Sequence, residues 1–223
     1  MITGDFTPHG SSLSGLVLSP TNPKSLVLFL HGYGANGADL LGIGQQLSPH
    51  MPSVGFVAPD APQKLAFGHN SRAWFELGAS LAPEDIDYGV QEARPVLVEY
   101  VNALLHTFDL PAKKLLICGF SQGCMLALEV APRLPEPVGQ VIGLSGALAG
   151  ADRLAGEIVS RPPIFLGHGM EDNVVPFAAQ EAAVTALKAH NFLVESESYE
   201  GVGHGIPSAA LQTLYTKTID LTD

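Results

Sequence analysis

Ser121 stands in Gly119-Phe120-Ser121-Gln122-Gly123, a G-x-S-x-G pattern. A serine hydroxyl is a weak nucleophile until a base takes its proton. The pattern gains chemical meaning when a strand leads into it and a helix leads out, because that turn lifts the hydroxyl clear of a sheet. Both flanks are expected here. Leu115–Cys118 is a short apolar run of strand length. Met125, Leu126, Leu128, Glu129 and Ala131 are helix formers, and Pro132 stops them. Gly119 and Gly123 avoid Cβ clashes in so tight a turn. The free N–H groups of the new helix then face any oxygen arriving beside Ser121. Taken alone, the same residues would also suit a plain Gly/Ser connection.

A base and an orienting acid must come from elsewhere. Of the eight histidines, His204 fits best. It lies late in the chain, on the glycine-rich stretch Gly201-Val202-Gly203-His204-Gly205, after one expected strand and before a helix. His168 is the rival, also expected past a strand end. His31 opens a different glycine-rich loop. His9, His50, His69, His106 and His190 lie in termini, helix ends or irregular sequence and read as surface or structural residues. Asp172, in Gly169-Met170-Glu171-Asp172-Asn173, supplies the acid, with Glu171 pointing elsewhere. Asp60 also follows a strand but precedes Ser121. The hydrolase order is serine, acid, histidine, which Ser121, Asp172 and His204 satisfy.

An acyl-transfer site also needs donors for a developing oxyanion. The N–H of Gln122 is one candidate, and that of Tyr33, in His31-Gly32-Tyr33-Gly34, is the other. A phosphate cradle in the same loop would need a Gly-Lys-Ser/Thr that does not follow. A metal held by His168, Asp172 and His204 lacks ligand spacing of the H-x-x-x-H kind. No metal and no cofactor are therefore expected.

The elements that must position these groups alternate. Leu13–Ser19 reads as an edge strand, and Ser25–Leu30, SLVLFL, as a central strand buried on both faces. Ala38–Leu47 is helical, and Val54–Ala58 is a strand. Residues 59–83 show little periodicity and hold the only tryptophan, Trp74. Such a long irregular segment is often functional. It is expected to drape over the site, with Trp74 and Phe75 walling it for substrate or Trp74 pinning the loop to the core. Pro83–Phe108 is a helix with acid in its first turn and a kink point at Pro95. Val138–Leu144 and Pro163–Leu166 are strands, Phe177–His190 a helix, Phe192–Tyr199 an alternating strand and Pro207–Ile219 a last helix. This alternation predicts an α/β fold with a mostly parallel sheet and helices on both faces. Ligands bind beyond the carboxyl ends of such strands. The loops at His31, Ser121, Asp172 and His204 all leave those ends.

Composition sets bounds. The 223 residues suit one α/β domain over 1–223, and 46% hydrophobic residues supply its core. A formal net charge of −11 and no Lys/Arg cluster argue against nucleic acid and against anionic lipid. The N-terminus has no signal-peptide pattern, and no apolar run reaches membrane-spanning length. The two cysteines, Cys118 and Cys124, sit on diverging elements, so both are expected as small core residues in a reducing compartment. Cys124 would be open to modification only if the helix start is exposed. A cytoplasmic protein is the default, and a homodimer is left open.

LHGYGANG, GFSQG, GHGMEDNVVP and GVGHG, with a WF pair between the first two, resemble the carboxylesterase/acyl-protein thioesterase family, also called the phospholipase/carboxylesterase family. The likeness spans roughly Leu26 to Pro207. It implies an α/β-hydrolase fold without a large cap domain and a serine esterase acting on carboxylic esters, thioesters or lysophospholipids. Matching the motifs implies a triad of Ser121, Asp172 and His204, with oxyanion donors at Tyr33 and Gln122. The family often has Leu where Tyr33 stands, so Tyr33 would narrow or polarise the acyl pocket. Its WFD reads Trp74-Phe75-Glu76 here. Two other readings use the same pocket: a silent binding protein, and acyl transfer to an acceptor other than water.

Overall fold

The computed structural model describes residues 2–68, 70–77 and 82–222. His69 and residues 78–81 of the irregular segment lie outside the described residues. Apolar runs form the centre of the sheet. β3 (Ser25–Leu30) and β4 (Val54–Pro59) are buried at every residue. β7 (Leu115–Phe120) is buried up to Gly119, and β8 (Gln140–Leu144) throughout. β1 (Ile2–Phe6), β2 (Gly15–Ser19), β9 (Ile164–Gly169) and β10 (Val194–Tyr199) complete an eight-stranded sheet of order β1-β2-β4-β3-β7-β8-β9-β10. β1 and β2 run antiparallel, and β2 pairs antiparallel with β4. The remaining pairs are parallel. A two-stranded hairpin, β5 (Gln63–Lys64) and β6 (Arg72–Ala73), lies apart.

Side chains of a strand alternate between faces, and two cores follow from that. Leu26, Leu28 and Leu30 face one core with α2 (Pro83–Phe108), α3 (Gln122–Val130), α4 (Ala151–Glu157) and α5 (Ala178–Ala189). Val27 and Phe29 face the other with α1 (Gly37–Leu47) and α6 (Ser208–Ile219). Each fully buried Leu in these layers contributes about 1.5–3 kcal/mol of transfer free energy.

Several expectations change. β1 was not expected: in ITGDF only Ile2 and Phe6 are apolar, and the strand is an exposed edge held by pairing to β2. α4 was not expected either, since Leu154 is its one buried residue. β9 continues past Leu166 through His168 to Gly169, because β10 pairs with it as far as Tyr199. β10 does not alternate. It closes the sheet's other edge, and its four middle residues are exposed. Glu195 and Glu197 there discourage pairing with another chain. α2 continues through Pro95 to Phe108. Among the described residues no helix is long and apolar enough to cross a membrane.

Candidate active site

β7 ends at Phe120 and α3 begins at Gln122, so Ser121 alone makes the turn. Its backbone has φ 53° and ψ −116°, a sparsely populated region for a residue with a Cβ. Packing over-determines it. The N–H of Ser121 bonds to Leu144 O on the neighbouring strand at 2.9 Å, and its carbonyl accepts the N–H of Met125 at 3.1 Å. α3 crosses β3 so closely that a Cβ at Gly123 would run into Leu30 O. The glycine is therefore required by approach, beyond any turn preference.

Asp172 and His204 come from the two strands beyond β8. Asp172 follows β9 and His204 follows β10, which are parallel neighbours. The two loops touch: a Cβ at Gly169 would meet Val202 O, so glycine there lets the histidine loop close over the aspartate loop. The Asp172 side chain is wholly buried. Its Oδ1 accepts the N–H groups of Val174 and Val175, each at 2.9 Å. Its Oδ2 lies 2.7 Å from His204 Nδ1. His204 Nε2 lies 3.0 Å from Ser121 Oγ. Since a carboxylate only accepts, Nδ1 carries the proton, and the Nε2 lone pair is left to receive the serine O–H. The Phe120 ring packs on the imidazole with centroids 4.9 Å apart.

Two opposed influences set the Asp172 charge. Burial, the largest, pushes its pKa up. The hydrogen bond with His204 and the two backbone N–H groups pull it down, and together they hold it below its ordinary 3.8. The acid is thus ionised at neutral pH.

Tyr33 and Gln122 lie on adjacent parallel strands' exits, because Leu30 of β3 registers with Gly119 of β7. Gly32 reaches so near the elbow that a Cβ there would stand 3.3 Å from the Ser121 Cβ. Among the described residues neither the Tyr33 nor the Gln122 N–H is given to a protein acceptor. Both are free to serve an oxygen bound beside Ser121.

Trp74 and Phe75 do not wall an open site. Each is 2% exposed and packed in the core, so their expectation as substrate contacts is corrected. Trp74 instead pins the loop. Its indole Nε1–H donates to His31 O at 2.9 Å, and its backbone N–H to Gln122 Oε1 at 2.8 Å. Glu76 is exposed. His168 is buried within β9 rather than beyond it, and its Nε2–H donates to Val175 O at 2.9 Å. His31 is also buried, with Nδ1–H on Gly32 O at 2.8 Å and Nε2 accepting from Ala61 N at 3.1 Å. Asp60 is occupied by the N–H of Gly37 at 2.9 Å and by Arg72 at 3.6 Å. His9, His50 and His106 are exposed. Cys118 and Cys124 are free and buried, and burial pushes both thiols up to about 12, so neither is poised to react. Sequence reasoning missed the Gln122 side chain and Phe120. Both stand inside the G-x-S-x-G pattern, at positions the pattern leaves open.

The sequence profile described as Phospholipase/Carboxylesterase matches residues 16–220. Acyl-protein thioesterase 1 of Yarrowia lipolytica is 29% identical over 196 residues, covering 80% of this chain and 83% of its own. A probable carboxylesterase of Oryza sativa subsp. japonica is 32% identical over 206 residues, covering 86% and 75%. The crystal structure of esterase PE8 superposes with a TM-score of 0.89 at 34% identity, covering 94% of this chain and 99% of its own. With the profile running from β2 into α6 and the sheet shared with a solved esterase, the chain belongs to the phospholipase/carboxylesterase family of α/β-hydrolase fold.

Proposed function

We propose that this hydrolase cleaves carboxylic esters through an acyl-enzyme on Ser121, with acyl thioesters and lysophospholipids as related substrates. The observation that carries the proposal is the unbroken chain from Asp172 Oδ2 through His204 to Ser121 Oγ, at 2.7 and 3.0 Å. Ser121 Oγ attacks the carbonyl carbon while His204 Nε2 takes the hydroxyl proton. Asp172 holds the tautomer and offsets the imidazolium that forms. The carbonyl oxygen becomes an oxyanion, for which the N–H groups of Tyr33 and Gln122 are the candidate donors. Each such donor is worth about 3–4 kcal/mol in the transition state. Collapse breaks the bond to the leaving alcohol or thiol, which takes the proton from His204. Water then attacks the acyl-enzyme, giving its proton to His204, and the acid leaves as Ser121 recovers its hydrogen. The two free, buried thiols suit a reducing compartment such as the cytoplasm.

A fluorophosphonate probe tests the nucleophile. Ser121 is expected to carry the adduct, and Ser121→Ala to abolish it. Folded wild type that takes no label overturns the proposal. A panel of p-nitrophenyl esters of rising acyl length, with a lysophospholipid and an acyl thioester beside it, then identifies the substrate class.

A further inference from the structure

The segment around Trp74 is laced to both candidate oxyanion donors. On the Tyr33 side, the Trp74 indole N–H holds His31 O at 2.9 Å, two residues before Tyr33. Gly34 N–H, one residue after it, donates to Arg72 O at 2.8 Å, and Arg72 N–H returns to Ala35 O at 2.9 Å. Tyr33 is thus fixed on both flanks while its own N–H stays unspent. On the other side, the Gln122 side chain is clamped at both ends. Its Oε1 accepts the N–H of Trp74 and its Nε2 donates to Phe75 O, both at 2.8 Å. Trp74 and Gln122 are each 2% exposed, so water does not compete for these bonds. One short stretch of chain therefore bridges the exits of β3 and β7, each end fastened beside a donor.

We propose that Trp74 is a positioning residue of the oxyanion hole: with the side chain of Gln122 it sets the spacing between the Tyr33 and Gln122 N–H groups. The proposal rests on the acyl-transfer reading above. Hydrogen-bond donors stabilise an oxyanion only when they aim at the position the charged oxygen will occupy. Two separate loops would drift relative to each other, and a misplacement of about 1 Å costs on the order of 10²-fold in rate. The strap removes that freedom through side chains that are themselves buried.

The test is Trp74→Phe, which removes the indole N–H and keeps an aromatic ring in the core. Gln122→Met breaks both side-chain bonds and leaves the backbone N–H in place. Replacing Trp74 by β-(3-benzothienyl)alanine removes the N–H with the shape retained, and serves if Trp74→Phe folds poorly. Each protein is assayed for kcat and KM on p-nitrophenyl butyrate, for inhibition by an aryl trifluoromethyl ketone, and for Tm. The ketone adds to Ser121 and places an oxyanion between the donors. The expected result is a fall in kcat of about 10- to 100-fold, KM within about twofold, and ketone affinity falling in parallel with kcat. Ketone affinity and kcat that hold at the wild-type level overturn the strap, whatever happens to Tm. A wild type that neither hydrolyses esters nor takes a fluorophosphonate on Ser121 overturns the esterase reading and the strap together. An active, labelled wild type with unaffected variants overturns the strap alone.

Discussion

At the scale of single residues, the site depends on which proton sits where. His204 donates from Nδ1 to Asp172 Oδ2 and offers Nε2 to Ser121 Oγ. Asp172→Asn presents an amide that can donate as well as accept, and so admits the wrong imidazole tautomer. The expected effect is a loss in kcat on the order of 10⁴-fold with the fold intact. Steady-state kinetics beside a thermal melt checks it, and a variant that keeps wild-type kcat would remove Asp172 from the chemistry.

Among elements, α3 starts at a turn with positive φ and is buried along its whole length. Glu129, 1% exposed, accepts from Arg94 of α2 at 3.0 Å, from Arg133 at 3.1 Å and from Arg153 of α4 at 3.2 Å. Glu157 of α4 reaches the same three arginines at 3.0, 2.6 and 3.1 Å, and Asp87 of α2 pairs with Arg153. Arg133 holds the Glu157 carboxyl below its ordinary range, and Arg153 is held firmly charged by its bond to Asp87. Removing Glu129 leaves Glu157 and Asp87, both partly exposed, to balance three guanidinium groups. Glu129→Ala is expected to cost about 1–3 kcal/mol, seen as a lower urea midpoint. KM should be unchanged, since no member of this network touches the triad. Gly123→Ala tests the other hold on α3. Its Cβ would meet Leu30 O, so either the helix shifts and kcat falls, or the protein does not fold. Soluble protein with wild-type kcat would show that the helix does not need the close approach. The elbow was legible in sequence because its strand is apolar and its glycines are spaced. The arginine network was not, because charges scattered over residues 87–157 have no period that marks them as partners.

At the scale of the whole molecule, the chemistry is a property of strand order. Ser121, Asp172 and His204 follow β7, β9 and β10, and the proposed donor loop follows β3, all at the carboxyl ends of parallel strands of one sheet. Order along the chain was readable, since each motif follows an apolar run and its sequence matches the hydrolase pattern. What the runs could not show was pairing without hydrophobicity. β1 and the Gly167–Gly169 end of β9 exist because neighbours supply hydrogen bonds. Trp74 stayed open to two readings, wall or pin, because burial depends on what folds over it.

The same strand ends tie stability to pH. Net charge −11 means that acidification toward a pI near 5.0 relieves repulsion and by itself stabilises. His31 works against this. It is neutral in the fold, donating to Gly32 O and accepting from Ala61 N–H, and burial lowers its pKa from the ordinary 6.5. A proton on Nε2 would face the Ala61 N–H with no acceptor. The unfolded chain takes up that proton first, so the contribution of His31 is fully present above pH 6.5. It is lost as pH falls through the folded value. His31→Gln cannot titrate, and net charge acts on both proteins alike. The Tm gap between wild type and His31→Gln should therefore be widest above pH 7 and narrow below pH 6.5, as read from melts across pH 5–8. A gap that stays constant would mean that the imidazole is not held neutral, and the loop bearing Tyr33 would then need another anchor.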